Sequence, residues 1–578
     1  MAPKSKFLSM QDFISVLLRS LTICVAFYST GNFQLCGQSL PAGMPVYEES
    51  IRRAQLLGLA DSSHSLMVRP IHPVSMGIQD GIYQPYDKAL LKDSNKKNFS
   101  SIHLLNRKGT VALLPPSYQF QFNSKHPYGW ADGAMIPNRG YQHVMSVGVY
   151  GKIGPLHIQL RPEWLLAENR SFEGFSSLFS QGTQDARLHH WRSADPPERF
   201  GLSRYSTILP GQSSIALHFG PVRVGAGNEN IWWGPGQFNS LTFSNNSRSF
   251  EHLTLSTSRP VRTWVGNFEG QLLLGRLQPP DFLPLYGDGI TISKNPDWRY
   301  LSAIMLSYNP KWVNGLFIGA ARTFQQYGED LTPSFGGYFP VFQAFQKETV
   351  GLAVDDLKQD QQIAVFLRWV FQKSHAEVYF EFGRRDHALN WRDFMMSPEH
   401  ARAFLFGFFK LFEIRNADHI QIRVEHTQSQ QSINHLIRYY GDGGGQSWGA
   451  HLPILHGFSH YGQQLGNGVG PGNNAQTLEV AWVRDIRKVG IMFERLEHQM
   501  DFFNRAFRDG SSARPWVDVS TGLVGHWRFN RLVANARIQF IRSLNYQWQQ
   551  GFVYPGGQNA RGVDRFNLHS YMGVTYLF

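Results

Sequence analysis

Two adjacent indoles, Trp232 and Trp233, open a run that continues through Gly234-Pro235-Gly236 and then offers amide side chains at Gln237, Asn239, Asn245 and Asn246. Indole faces stack on the apolar C–H faces of sugar rings, and amides pair with sugar hydroxyls, so this combination suits a carbohydrate surface. The same residues also fit a structural role, with Gly234-Pro235-Gly236 as a strand-end turn, the two Trp in an interfacial girdle and the Asn pair capping backbone groups. Trp130, Asp132 and Arg139 carry the same two readings, as sugar contacts or as polar anchors of a folded-in loop. His460, Tyr461 and Gln463, followed by Gln464, stand in a Gly-rich loop that a polymer could reach.

Catalytic patterns are thin. There is no His-Glu-x-x-His helix and no phosphate-cradling Gly-Lys-Ser/Thr loop, and Gly225-Ala226-Gly227 runs into Asn228-Glu229-Asn230, which breaks the dinucleotide fingerprint. His451, His456 and His460 lack neighbouring carboxylates, and on a strand Glu494, Glu497 and His498 divide between faces. The chain is therefore expected to be no enzyme and to hold no metal or cofactor. A Ser/His/acid set brought together only by folding would be invisible at this level.

The elements that must carry these residues are strands. The chain ends Tyr571-Met572-Gly573-Val574-Thr575-Tyr576-Leu577-Phe578, where Met572, Val574, Tyr576 and Phe578 share one face and Gly573 and Thr575 the other. An alternating carboxyl-terminal strand closing on an aromatic looks like the last strand of an outer-membrane barrel. The pattern repeats from about Met145 onward: Ile158 and Leu160 oppose His157, Gln159 and Arg161; Trp264, Phe268, Leu272 and Leu274 oppose Asn267, Glu269 and Gln271; Ile420, Ile422 and Val424 oppose Gln421, Arg423 and Glu425. One face suits lipid and the other a wet lumen. A soluble sandwich also alternates, but its core is complete within about 100 to 250 residues. Here the grammar continues far beyond that, long enough for roughly 16 to 20 spanning strands. Gly151-Lys152-Ile153-Gly154-Pro155 and Gly220-Pro221 read as tight turns, and Asp442 to Asn474 as a long connection. Aromatics at 14% and charged residues at only 17% agree with a large lipid-facing area.

At the amino terminus, Lys4, Lys6 and Arg19 precede the apolar stretch Leu21 to Phe27, a secretory signal with cleavage expected after Gly37. Removing residues 1–37 takes away both cysteines, Cys24 and Cys36, and lowers the formal charge from +12 to +10. Lysines and arginines are scattered singly, which argues against nucleic acid and for acidic glycans or lipid headgroups as partners. Residues 38–105 form a helix-containing periplasmic segment, because Tyr47, Ile51, Ala54 and Leu57 recur at helical spacing with Gly58 as a left-handed cap. Docking of this helix at the periplasmic mouth is expected, and residues 106–578 are assigned to the barrel.

Three blocks carry a family resemblance. Ser124 to Tyr141, with Gly154-Pro155-Leu156 and Arg161-Pro162-Glu163, resembles the capsule assembly Wzi family; so do Glu229-Asn230-Ile231-Trp232-Trp233-Gly234-Pro235-Gly236 with Ser244-Asn245-Asn246, and His460-Tyr461-Gly462-Gln463-Gln464-Leu465-Gly466. The resemblance implies an all-β, antiparallel transmembrane barrel of about eighteen strands with a short amino-terminal helical element. It implies a monomeric lectin of the Gram-negative outer membrane, bathed in lipid and lipopolysaccharide, that retains capsular or other surface polysaccharide. It supplies no set of sugar-contacting positions. A diffusion porin, and less readily a barrel hydrolase, are the competing functions.

Overall fold

The computed structural model describes residues 39–76, 101–104, 109–287, 291–343, 358–385, 391–396, 398–415, 417–432, 447–451, 453–507, 513–549 and 563–578. The expected signal segment lies outside them, as do residues 442–446 of the expected long connection.

The fold is all-β, a closed antiparallel barrel of eighteen strands. The last strand, Arg565–Tyr576, pairs with the first full-length one, Gly109–Asn123, from Thr575 opposite Ser117 to His569 opposite Asn123. Closure of an even-numbered antiparallel sheet leaves no unpaired edge, the condition for placing backbone in hydrocarbon. Both expected tight turns form, and Gly154 and Gly220 take φ of +57° and +60° there, a conformation glycine adopts without strain.

Along Asp418–Gln428, His419, Gln421, Arg423, Glu425 and Thr427 point inward and are buried, while Ile420, Ile422 and Val424 face out, as the alternation requires. Outward residues such as Leu160, Leu253, Val489 and Leu523 are more than half exposed. An apolar belt of this extent is untenable in water and suits hydrocarbon. Trp264, Trp312, Phe371, Phe412, Phe529 and Tyr576 ring the outside near the tight turns, the position of an interfacial aromatic girdle.

Three of four adjacent wall strands are interrupted at one level, with unbroken Gly140–Ile153 among them. The register shifts between Leu114 and Ser117 around Pro115-Pro116, Arg161-Pro162 separates Leu156–Leu160 from Glu163–Ala167, and residues 210–213 separate Tyr205–Leu209 from Ser214–Phe219. Proline has no N–H to give a ladder. Buried Arg161 spans the gap instead, donating from Nε to Ser146 Oγ at 3.1 Å, from Nη2 to Ser117 Oγ at 2.9 Å and from its backbone N–H to Ser213 Oγ at 2.9 Å.

The expectation of a wet lumen is corrected: the bore is filled by the chain itself. Leu56, Met67, Ile231, Trp233, Phe243, Phe250 and Phe458 form a dry cluster against inward-facing Leu273, Leu301 and Phe317 of the wall. Polar alternation therefore fails on that arc, since Leu273 turns inward beside Gln271.

The amino-terminal helix α1, Pro45–Leu56, docks inside the end that carries the tight turns. Pro45 opens it, and it ends in a Schellman cap: Gly58 at φ +70° donates to Gln55 O at 3.1 Å and Leu59 to Ala54 O at 2.8 Å. Val46, Tyr47 and Ile51 pack on Leu114, Ile486, Val533 and Leu577 of the wall. Its charged face is buried too. Glu49 meets Arg53 at 2.5 Å, Lys488 at 2.7 Å and Arg423 at 3.1 Å, and Glu479 meets Arg423 at 2.7 Å and Lys488 at 3.1 Å. Arg52 pairs with Glu377, which also pairs with Arg368. Burial pushes the Glu49 carboxyl up, but Arg423, Lys488 and Arg53 hold it well below the usual carboxylate range.

Glu49→Ala leaves Arg53 without a carboxylate and Arg423 and Lys488 to share Glu479 alone in a low-dielectric interior, at a cost of about 3–5 kcal/mol. The expected outcome is loss of hydrogen-exchange protection across α1 while the barrel keeps its heat-modifiable gel migration. Because the depressed carboxyl contributes stability above its ordinary pKa, wild-type α1 protection is expected to fall only as pH drops below the usual carboxylate range.

Candidate functional site

Inside the bore, Trp232 and Trp233 form a short strand paired antiparallel with Val68–Arg69. Trp233 is fully buried, donates from Nε1 to Gln271 Oε1 at 2.8 Å and meets Phe243 edge-on at 4.8 Å between centroids. The Arg69 guanidinium lies 4.7 Å from the Trp232 ring centroid and binds Glu48 at 2.8 Å and the Gly236 carbonyl at 3.0 Å.

The Gly-Pro-Gly block then runs over two inward wall carboxylates. Glu381 accepts from Gly236 N–H and Leu241 N–H, each at 2.9 Å. Glu425 accepts from Gln237, Phe238 and Asn239 N–H at 2.7, 3.1 and 2.8 Å, and from Tyr379 Oη at 2.9 Å. So close an approach leaves no room for side chains. A Cβ on Gly234 would stand 2.3 Å from Glu381 Oε1, and one on Gly236 1.9 Å from Asn239 O. This loop is a backbone strap anchored to acidic wall residues, and that is the physical reason for its glycines.

The twelve expected site residues divide accordingly. Trp233, Asn239, Asn245 and His460 are committed to internal contacts: Asn239 Nδ2 donates to Asn467 Oδ1 at 3.1 Å, Asn245 Oδ1 accepts from Asn230 Nδ2 at 2.5 Å, and His460 Nδ1 accepts from Gln278 N–H at 3.1 Å. Tyr461 lies under the Arg248 guanidinium, 3.3 Å from its ring centroid, and Arg139 ties Ser124 O to Ser171 O.

The other six line two chambers. Trp130, Asp132, Trp232 and Gln237 border an inner cavity of about 170 Å³ above α1. Trp130, Asp132, Asn246 and Gln463 border an outer one of about 240 Å³ toward the long loops, and the two meet at Trp130 and Asp132. Trp130 is fixed by its Nε1 donation to Phe238 O at 3.1 Å, and Asp132 Oδ2 accepts from Gln121 Nε2 at 2.6 Å. Burial pushes the Asp132 carboxyl up to about 6 against that hydrogen bond and the pull of Arg537.

Sequence reasoning missed Arg537 and Tyr571 in the inner chamber and Tyr128, Trp516 and Tyr546 in the outer. Arg537 sits at an inward register of its strand, opposite Tyr571; that alternation was its only signal. The aromatics are too common in a barrel to stand out.

Two outcomes follow from this geometry. Gly236→Ala should lower stability by about 1–3 kcal/mol, the range of an overpacked site, read as an earlier midpoint of heat-induced gel shift. Asp132 binds its proton more tightly in the fold than the ordinary 3.8 allows, so its contribution favours folding below 3.8 and is lost as pH rises through about 6. Tryptophan fluorescence should show a transition near pH 6 that is missing in Asp132→Asn.

The family model for capsule assembly protein Wzi matches residues 144–544. No curated protein sequence matches the chain. Among solved structures, Wzi of Escherichia coli, described as an outer-membrane protein involved in group 1 capsule assembly and a carbohydrate-binding β-barrel, is similar over 94% of this chain and 99% of its own, with a TM-score of 0.57 at 11% identity. OccAB4 of Acinetobacter baumannii has 10% identity over 80% of this chain and 97% of its own with a TM-score of 0.37, and OprD of Pseudomonas aeruginosa 9% over 83% and 97% with 0.36. Since the family model spans well over half of its length, this outer-membrane β-barrel belongs to the capsule assembly Wzi family.

Proposed function

We propose that this barrel is a lectin that retains capsular or other surface polysaccharide at the cell surface, with its long loops outside and α1 toward the periplasm. The observation that carries the reading is the pair of chambers meeting at Trp130 and Asp132, lined by aromatic faces, amides and charged groups. Sugars are bound by that mixture of stacking and hydrogen bonding. Of the expected contact residues, Trp130, Asp132, Trp232, Gln237, Asn246 and Gln463 are proposed to touch glycan, while Trp233 and Asn239 hold the strap in shape and Asn245 and His460 bind other internal loops. The E. coli Wzi barrel, described as carbohydrate-binding, supports the same assignment.

A diffusion porin needs an open bore, and the chain packed around α1 and Trp233 weighs against one. No part of this proposal needs a bound cofactor or a catalytic group.

Deleting the protein should release polysaccharide from the cell surface while its synthesis continues, measured as cell-bound against soluble polymer. In planar bilayers the purified barrel should give no large steady conductance. A wide open channel together with unchanged polymer retention would favour the porin.

A further inference from the structure

We infer that the barrel grips its polysaccharide by a chain end and not along the chain. This rests on the retention reading above and specifies which part of the polymer is bound. A mid-chain stretch needs a groove open at both ends. The two chambers instead share Trp130 and Asp132 as a common border, and the inner one stops at a floor, because Pro45, Glu48, Glu49 and Arg52 of α1 line its base. Glu49 and Arg52 are each tied to the wall by buried ion pairs, so the floor is fixed.

The inner chamber is also the right size for a terminus. At about 30 Å³ per water, its volume of about 170 Å³ holds a handful of waters or roughly one sugar ring. A longer segment would have to continue outward past Trp130 and Asp132 into the second chamber.

The lining has one free handle for such a ring. Arg52, Arg69, Arg423 and Lys488 each face a carboxylate, on Glu377, Glu48, Glu479 and Glu49. Arg537 has no carboxylate in ion-pair contact among the described residues. Its Nη2 meets His569 Nε2 at 3.2 Å, its buried Nε–H has no partner, and its guanidinium lies 5.9 Å from the Tyr571 ring centroid. It can donate to the hydroxyl and ring oxygens of a terminal sugar, with Trp130 and Tyr571 offering aromatic faces and Gln237 an amide.

The test separates chain number from chain length. Surface polysaccharide from the native cell is partly depolymerised into fractions of a few to many repeat units, and each is titrated by calorimetry into the full-length barrel in detergent. End recognition predicts one barrel per chain at every length and a Kd per chain that does not change with length. A Kd per chain that falls in proportion to length, with several barrels on each long chain, overturns the inference and leaves retention standing. No binding at any length sinks the retention reading itself. Arg537→Gln and Trp130→Ala should weaken short and long fractions alike by about ten-fold or more. An unchanged Kd in both variants, with heat-modifiable migration intact, overturns the assignment of the inner chamber.

Discussion

Nearly every charge that points into this lipid-embedded cylinder is paired there, and this constraint organises most of the interior. Desolvating a lone carboxylate or guanidinium costs several kcal/mol, and pairing offsets the cost only when geometry and hydrogen bonding are good. The wall sends Arg368, Glu377, Glu381, Arg423, Glu425, Glu479 and Lys488 inward. Apart from Glu479, which the wall's own Arg423 and Lys488 answer, each meets something threaded through the bore: Arg52 and Glu49 from α1, the Ser65 carbonyl, or the N–H groups of Gly236 to Leu241. Plug and wall are therefore one electrostatic unit, and neither can be read as an accessory to the other.

This explains which parts of the fold were legible in the sequence. The period-2 pattern of Ile420 to Glu425 maps directly onto outside and inside, because every residue of a spanning strand faces either lipid or bore. The helix was equally plain from Tyr47, Ile51, Ala54 and Gly58, which set both its apolar stripe and its cap. Its depth of burial was not, since Glu49, Arg52 and Arg53 have the types expected of a solvated face and become interior only through partners more than three hundred residues away.

The candidate site was half legible for a related reason. Aromatic and amide side chains serve sugar binding and loop anchoring equally well, so Trp233 and Asn239 cannot be told from Trp130 and Gln237 by type. What separates them is where the chain passes: Trp233 pairs with Val68 and packs on Phe243, while Trp130 borders open space. Leu273 escaped for the opposite reason, because an apolar residue on an inward register makes sense only once Trp233 and Phe243 are known to lie across from it.

The interrupted ladder at Pro115-Pro116, Arg161-Pro162 and residues 210–213 gives the tube an uneven stiffness. A cylinder whose backbone ladders are interrupted at one level on one side and bridged there by side chains, but run unbroken on the opposite arc, is more compliant at the interruption than across from it. Lateral pressure from the bilayer would ovalise the cross-section at Arg161, while the arc bearing Glu377, Glu381 and Glu425 acts as the stiff spine. The strap is hung from that spine, so membrane strain is absorbed on the side away from its anchors.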